Sequence, residues 1–305
     1  MLSERQLHEC LRERGLLGLI WNPGGRRRGR VDGLRRPKGA FPLPPVALAP
    51  LAPFAGAAPA TTLMPYEPRR NPRGRVAGQA TRSPRTVAGV PWECEVSNVS
   101  IQDSVRRQFG PAAAAYAASA VHAAGPDLAA MLDAAELRGD ERVLDVAPGA
   151  GHTALAFAPH VASVLAVDLT EEMLAQGRLL AEERGLTNIA FALGDAEHLP
   201  VPDASVDLVT CRYAAHHFPR PAAAVREWAR VLAPGGRLLL VDVVSPDDLA
   251  ADTVLNAAEV LRDPSHVRDH TVAQWFLMLE GAGIAVEDLG RFPLRLEFES
   301  WTERM

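Results

Sequence analysis

Cysteine is scarce in this sequence. The 305 residues contain three cysteines, Cys10, Cys94 and Cys211, which are widely spaced and form no Cys-x-x-Cys pair. This spacing suggests neither a disulfide framework nor a zinc site. No predicted element carries His, Asp and Glu at metal-ligand spacing either. We therefore predict a protein without a metal site that works in the reducing cytoplasm.

The sequence also lacks a long apolar run that proline does not interrupt. Its most apolar window, residues 41–60, contains six prolines. A spanning helix must satisfy its own backbone hydrogen bonds, which proline prevents, so we predict no membrane span. The prolines, and the distance of this window from Met1, also argue against a signal peptide.

The first 95 residues differ in composition from the rest of the chain. They hold 13 of the 25 prolines and carry 16 Lys and Arg against 7 Asp and Glu. We predict a disordered Pro/Arg-rich leader over residues 1–95, or an upstream extension from a misassigned start codon. Only residues 3–20 have the pattern of a short amphipathic helix. A basic arm that binds nucleic acid is a weaker alternative, because arginine runs are also common in solvated tails.

Residues 96–305 have the opposite charge. They carry 16 basic and 30 acidic residues, although the net charge of the whole chain is only −5. Phosphate backbones bind Lys and Arg, so a nucleic-acid substrate is disfavoured and a small-molecule substrate is expected. The sequence leaves open whether the protein is a monomer or a homodimer.

From residue 104 onward, apolar runs of strand length alternate with segments of helix length. An alanine-rich helical stretch covers about 112–135, and further helices lie near 152–160, 171–184 and 220–232. The predicted strands are Arg142–Ala147, Ser163–Asp168, Ile189–Leu193, Val206–Cys211 and Arg237–Val244. Such alternation predicts a Rossmann-like, doubly wound α/β fold whose parallel sheet is covered on both faces.

The predicted core carries additions at both ends. Residues 96–141 form a helical N-terminal cover, residues 142–305 form the core, and a lid insertion lies near 246–270. The tail IAVEDLGRFPLRLEFESW is typical of two strands with a turn at Phe292–Pro293. We therefore predict a seven-stranded, mostly parallel sheet that ends in an antiparallel C-terminal edge hairpin.

The stretch VLDVAPGAGHTA, residues 143–154, is typical of a strand, a glycine turn and the start of a helix. Gly149, Gly151 and Ala154 fit the dinucleotide fingerprint G-x-G-x-x-A, a turn that lets backbone N–H groups approach a ligand. Asp145 stands just before this turn. Its carboxylate would repel a pyrophosphate and favour, directly or through water, a ligand with ammonium and sulfonium groups.

Two further acidic residues follow predicted strands. Asp168 ends the second strand, 19 residues after Gly149, where an acid suits ribose hydroxyls. Asp195 in GDAEHLP could accept a hydrogen bond from an adenine amino group, and the Ala196 N–H could donate to a ring nitrogen. Each acid has a structural alternative, since Asp168 could favour a helix N-terminus and Asp195 could cap the next turn.

In this order, VLDVAPGAGH, VDLTEEML, GDAEHLP and RVLAPGG resemble the motifs of class I S-adenosylmethionine-dependent methyltransferases, in particular the ubiquinone/menaquinone-biosynthesis type. The resemblance covers about residues 104–299 and implies S-adenosylmethionine as the cofactor. The cofactor-binding residues that it implies are Asp145, Ala147, Gly149, Gly151, Asp168, Leu169, Asp195, Ala196 and Cys211, with the Arg212 backbone as an alternative to Cys211. Ala147 departs from the pattern, because many members have glycine there, and would narrow the space beneath the methionine moiety.

The resemblance implies no fixed catalytic residue. In-line methyl transfer can be accelerated by alignment and exclusion of water alone, and proton removal matters only for some acceptors. CRYAAHHF, residues 211–218, offers His216 or His217 as a general base, and Tyr116 could lie near the cofactor carboxylate. The simpler hypothesis is that one histidine packs at a helix start and the other faces solvent.

The predicted lid carries further polar residues. Asp263, His266 and Arg268 either contact the acceptor or cap helices, and capping is expected for Asp263. Insertions at this edge of the fold commonly close a site and select its substrate.

The predicted function is methyl transfer from S-adenosylmethionine to a small organic acceptor. One alternative is an NAD(P)-dependent oxidoreductase, which would place a pyrophosphate beside Asp145. A Tyr-x-x-x-Lys pair is absent, because the only lysine is Lys38. The other alternative is a non-catalytic module that binds S-adenosylmethionine and regulates another protein.

Overall fold

The computed structural model describes residues 15–20 and 100–293. All of the described residues belong to one compact unit of the chain. The rest of the predicted leader and the second strand of the predicted C-terminal hairpin lie outside the described residues.

Strands and helices alternate along the described part of the chain. The strands are β1 (Gly15–Ile20), β2 (Arg142–Val146), β3 (Ser163–Asp168), β4 (Ile189–Leu193), β5 (Val206–Arg212), β6 (Leu232–Val244) and β7 (Glu287–Pro293). The helices are α1 (Ile101–Ala117), α2 (Ala120–Ala123), α3 (Pro126–Ala134), α4 (His152–Phe157), α5 (Glu171–Glu183), α6 (Pro221–Val231), α7 (Leu249–Arg262) and α8 (Val272–Gly281). Among these residues, no helix has the length and apolar character needed to cross a membrane.

The strands form one sheet in the order β4-β3-β2-β5-β6-β1-β7. Five of these strands, β4, β3, β2, β5 and β6, run parallel to one another, which confirms the Rossmann-like α/β class. β1 pairs antiparallel with both β6 and β7. The strand order reverses at β2, and this switch point is where open α/β sheets bind ligands.

The antiparallel edge differs from the prediction in two places. Residues 15–20, expected to belong to a helix in a disordered leader, form β1 and pair with β6 from Gly15 opposite Val244 to Ile20 opposite Leu239. β7 continues through Phe292, where a hairpin turn was predicted, and its partner is β1. A sheet edge presents a row of unpaired backbone groups. In this fold, a segment that is distant in the chain pairs with these backbone groups. A local sequence pattern cannot reveal such a pairing.

Side chains of the sheet alternate between two apolar layers. Leu144 and Val146 of β2 pack in the layer that contains Trp228, whereas Val143 packs in the layer that contains Phe157. This alternation follows from the two-residue period of a strand. Because helices cover both faces, the strands appear in the sequence as nearly continuous apolar runs.

Helix α5 packs closely on the glycine turn. A Cβ added at Gly177 would lie 2.5 Å from Cε1 of Phe191, and the same ring lies beside Gly151. We expect Gly177→Ala to lower the free energy of unfolding by about 1–3 kcal/mol, because overpacking forces the ring or the backbone to move. Denaturant unfolding measures this change.

Gly281→Ala is the matched control for this substitution. A Cβ at Gly281 would meet nothing within 4 Å, and alanine is the better helix former by about 1 kcal/mol. The control should be as stable as the wild type or slightly more stable. If Gly177→Ala behaved in the same way, α5 would not pack against Phe191 as described.

Candidate active site

One cavity opens at the carboxyl edge of the parallel sheet. Its empty volume is about 1020 Å³, including the solvent-filled mouth, which is the size of a small-molecule site. The segments that follow β2, β3, β4 and β5 line it, and α1 covers it with Phe109 and Tyr116. The loops therefore meet where the strand order predicts a ligand site.

Most of the predicted site residues line this cavity. They are Tyr116, Ala147, Gly149, Asp168, Leu169, Asp195, Ala196 and His217. Gly149 has a φ of 56° and Ala147 a φ of 52°, so both lie in the left-handed region, which alanine rarely adopts. The Ala147 N–H donates to the Val167 carbonyl at 2.8 Å, and this bond ties the turn to β3.

Asp168 links the glycine turn to β3. Its Oδ2 accepts the Gly149 N–H and its Oδ1 accepts the Thr170 N–H, both at 2.9 Å. Burial raises the pKa of Asp168, although these N–H groups lower it in part. The carboxyl group is thus held at the cavity wall in one orientation.

Hydrogen bonds to buried groups hold the segment after β4 in place. Asp195 Oδ1 accepts the Glu197 N–H at 2.9 Å. Buried Glu197 in turn accepts the Arg220 N–H at 2.6 Å and its side-chain Nε–H at 2.7 Å. The sequence analysis missed Glu197, because its partner lies 23 residues away in the chain.

Three of the predicted cofactor-binding residues, Asp145, Gly151 and Cys211, do not line the cavity. This corrects the prediction that they contact the cofactor directly. Asp145 is fully buried, accepts the Thr210 hydroxyl at 2.7 Å, and has a pKa that burial raises to about 7. Cys211 is buried in the apolar layer of Val146, and burial raises the pKa of its thiol. Gly151, with a φ of 84°, starts α4. Because successive side chains of a strand alternate between its faces, the side chains of Asp145 and Cys211 enter the layers on either side of the sheet.

Arg212 lines the cavity, and its buried side chain makes contacts that the sequence analysis did not foresee. Its Nε donates to Asp127 at 2.5 Å and its Nη1 donates to the His122 carbonyl at 2.8 Å. The guanidinium also lies 4.4 Å from the centre of the Tyr213 ring. Nη2 is buried and has no hydrogen-bond partner among the described residues. A buried donor of this kind is a candidate for binding an anionic ligand group.

His216 is an ion-pair partner and not a general base. Its Nδ1 lies 2.6 Å from Asp242 Oδ1, and its backbone N–H donates to Asp242 Oδ2 at 2.9 Å. Burial lowers the pKa of His216, but the charge and the hydrogen bond of Asp242 raise the pKa by a larger amount, to about 9. The imidazole is therefore protonated at neutral pH, and it does not line the cavity, which corrects the prediction for His216.

His217 and His152 face the cavity as buried or half-buried rings. Burial, followed by the charge of His216, lowers the pKa of His217 to about 3. His152 Nε2 donates to the Tyr116 carbonyl at 3.0 Å, and burial lowers its pKa. The sequence analysis included His152 in the glycine motif without giving it a role.

The predicted lid packs against the two adjacent histidines, His216 and His217. The Val267 and Arg268 N–H groups both donate to the His216 carbonyl at 3.0 Å. His217 Nδ1 lies 3.0 Å from the Ser265 carbonyl. Asp263 follows α7 and accepts the Ser265 N–H at 2.8 Å, the capping-type role expected for it.

A second cavity, with an empty volume of about 670 Å³, lies between α1 and the end of α7. Arg262 and Asp263 line it on the α7 side. Phe109, Tyr116 and His122 line both cavities, so one layer of side chains separates them. Within residues 15–20 and 100–293, no group of three or more His, Cys, Asp or Glu could hold a metal ion.

Comparison of this chain with known proteins agrees with the geometry of the site. Residues 144–240 match the methyltransferase domain family. The chain is 45% identical over 196 residues to the uncharacterized methyltransferase YcgJ of Bacillus subtilis, covering 64% of this chain and 78% of that protein. It is also 37% identical over 125 residues to the ubiquinone/menaquinone biosynthesis C-methyltransferase UbiE of Azotobacter vinelandii, covering 40% of this chain and 49% of that protein.

Two solved structures have the same fold. The YcgJ protein of Bacillus subtilis is 46% identical, with a TM-score of 0.57, over 58% of this chain and 76% of that one. A putative methyltransferase of Bacillus halodurans is 47% identical, with a TM-score of 0.58, over 59% of this chain and 78% of that one.

Proposed function

Because this chain belongs to the S-adenosylmethionine-dependent methyltransferases, we propose that it methylates a small organic acceptor held beside the donor, by in-line displacement. S-adenosylmethionine is its methyl donor and supplies the methyl group from a sulfonium that leaves as a neutral thioether. Membership of this family decides against the NAD(P)-dependent oxidoreductase alternative.

The observation that carries the proposal is that three of the four motif segments, VLDVAPGAGH, VDLTEEML and GDAEHLP, meet in one cavity. The fourth, RVLAPGG, does not line it. We assign Asp168 to the ribose hydroxyls, because each of its carboxylate oxygens keeps a free lone pair after accepting one N–H. We assign Asp195 and the Ala196 N–H to the adenine edge. The backbone of Ala147 and Gly149 approaches the methionine moiety, where small residues leave room.

Arg212 supports the fit at the other end of the donor. Arg212 lines the cavity, and its buried Nη2 has no partner among the described residues. A guanidinium N–H forms strong hydrogen bonds with a carboxylate. We assign this atom to the carboxylate of the methionine moiety. The donor would thereby satisfy a buried group that has no partner among the described residues.

The acceptor side is formed by α1, the segment after β5 and the predicted lid near 246–270. We propose that the lid contributes to the acceptor wall through its contacts with His216 and His217. Alignment of two reactants in a site that excludes water can supply many kcal/mol of the barrier reduction. These elements would position the acceptor and keep water out.

Two measurements test the proposal. Calorimetry of the purified chain should show binding of S-adenosylmethionine and S-adenosylhomocysteine, and no binding of NAD. Incubation with methyl-labelled S-adenosylmethionine and a bacterial metabolite extract should then give a labelled small molecule by mass spectrometry. Binding without any transfer would favour the non-catalytic module, and failure to bind either sulfur compound would contradict the proposal.

Asp168→Asn tests the ribose assignment. We expect the Kd for S-adenosylhomocysteine to rise about 10–100-fold, because hydrogen bonds to a charged group contribute roughly 1.5–3 kcal/mol. The control is Asp140→Asn, an exposed acid in the turn before β2 that pairs with Arg138. Calorimetry should give the control the wild-type Kd. Equal affinities for both variants would remove Asp168 from the binding site.

A further inference from the structure

His217 is held in one tautomer. Its Nδ1 lies 3.0 Å from the Ser265 carbonyl oxygen, and a carbonyl oxygen only accepts, so Nδ1 carries the hydrogen. Nε2 is then the unprotonated nitrogen. It has no hydrogen-bond partner among the described residues, and the ring lines the donor cavity. The ring that lines the site therefore has one nitrogen free to accept a hydrogen bond.

The ring lies beside the partition between the two cavities. It packs edge to face on Phe109, with ring centres 5.0 Å apart, and Phe109 lines both cavities. A molecule that reaches the donor cavity from the second cavity would pass this ring. His217 is therefore placed where an acceptor would meet the donor.

The surroundings keep His217 neutral. The protonated His216 ring lies 4.2 Å away, centre to centre, and His266 lies 6.3 Å away. Burial and the charge of His216 lower the pKa of His217, whereas Asp263 opposes this shift. A neutral imidazole does not repel a sulfonium, and its lone pair is available at every physiological pH.

We propose that His217 Nε2 accepts the proton of a hydroxyl group on the methyl acceptor, which makes His217 a catalytic residue and hydroxyl compounds the substrate class. This inference rests on the proposed methyl transfer. Ser265 is the positioning residue, because its carbonyl fixes the tautomer and the ring.

The step balances in atoms and charge. The acceptor oxygen forms a bond to the methyl carbon while the carbon–sulfur bond breaks and its electron pair stays on sulfur. The hydroxyl proton moves to Nε2 and afterwards to solvent. The positive charge lost from the sulfonium reappears on the imidazole, so the net charge of the cavity does not change during the step.

The weakness of this base selects the acceptor atom. An oxygen that is being methylated becomes strongly acidic, so a neutral imidazole, although a weak base, can take its proton. A C–H group needs a much stronger base. A neutral amine needs no base before transfer, and its methylated ammonium would hold its proton against such an imidazole.

His217→Asn is the test variant, with His160→Asn as the matched control. The asparagine amide can replace Nδ1–H toward Ser265 but leaves nothing in place of Nε2, and His160 is exposed at the end of α4, away from the cavity. We expect His217→Asn to keep the wild-type Kd for S-adenosylhomocysteine and to form labelled product about 10²–10⁴-fold more slowly. The control should match the wild type in both measurements.

Nitrogen NMR of the histidine-labelled wild type gives a readout that does not depend on activity or on folding of the variant. We expect His217 to carry its hydrogen on Nδ1 and to stay neutral from about pH 5 to pH 8. Mass spectrometry of the labelled product should place the methyl group on oxygen.

Three results would each overturn the inference: a hydrogen on Nε2, a product labelled on carbon, nitrogen or sulfur, or a His217→Asn variant that turns over at the wild-type rate. Wild-type protein that binds S-adenosylhomocysteine but labels no compound would instead refute the proposed function, and the inference with it.

Discussion

Arg212→Met is expected to lower the free energy of unfolding by about 3–5 kcal/mol, because it leaves Asp127 buried and uncompensated. The side chains of Arg212 and Asp127 are only 3% and 2% exposed. The variant should also bind S-adenosylhomocysteine more weakly, since the cavity loses Nη2. Urea unfolding and calorimetry measure the two effects.

A double variant separates stability from binding. Replacing Asp127 by Leu together with Arg212→Met removes both charges. Exchange of a buried ion pair for apolar groups often changes the free energy of unfolding only slightly. We expect this protein to recover most of the lost stability while its affinity for S-adenosylhomocysteine stays low. Recovery of the affinity as well would show that Arg212 contacts no ligand.

The exposed pair Arg142–Asp207 provides the matched control. It also joins two elements that are distant in the chain, β2 and β5, through two hydrogen bonds of 2.9 and 3.1 Å. The Arg142 side chain, however, is 51% exposed. Arg142→Met should cost less than about 1 kcal/mol, because solvent screens such pairs. A cost equal to that of Arg212→Met would contradict the role of burial.

His216→Asn is expected to remove a pH-dependent part of the stability. The pKa of His216 is raised to about 9 in the folded protein and is about 6.5 when unfolded, a difference equivalent to about 3 kcal/mol. A raised pKa means that this contribution is complete below about pH 6.5 and is lost as the pH rises through about 9. The wild type should therefore lose about 3 kcal/mol over this window.

The comparison between the two proteins isolates His216 from other titrating groups. Asp145 titrates in both proteins, so its contribution largely cancels in the difference. We expect the variant to be about 3 kcal/mol less stable than the wild type near pH 6.5 and nearly equal to it near pH 10. Urea unfolding across this range measures the difference, and a constant difference would show that the pair with Asp242 is not ionic.

Much of the fold could be predicted because its signals are local. Ser163–Asp168 and Ile189–Leu193 have the predicted bounds, since apolar strand runs between helical segments need only short-range patterning. Asp168 and Asp195 reach the cavity because one ends a parallel strand and the other lies two residues beyond one, and parallel strands end at one edge. The family resemblance added the identity of the donor, because Asp145, the one residue used to infer it from charge, is buried and does not line the cavity.

Side-chain direction was the least predictable property. Asp145 and Cys211 were expected at the ligand, yet both are buried within the sheet layers. One residue of register decides whether a side chain near a strand end enters an apolar layer or leaves the edge. Arg212, next to Cys211, reaches the cavity for the same reason.

The sequence by itself determined the order of strands and helices, the glycine turn and the place of the acids that follow β3 and β4, because these depend on neighbours in the chain. Only the tertiary structure decided that His216 is an ion-pair partner, that His217 is a neutral ring facing the site, and that residues 15–20 complete the sheet. Each of these depends on a partner distant in the chain, such as Asp242, Ser265 or β6, and that partner fixes the charge, orientation and pairing through burial and hydrogen bonds.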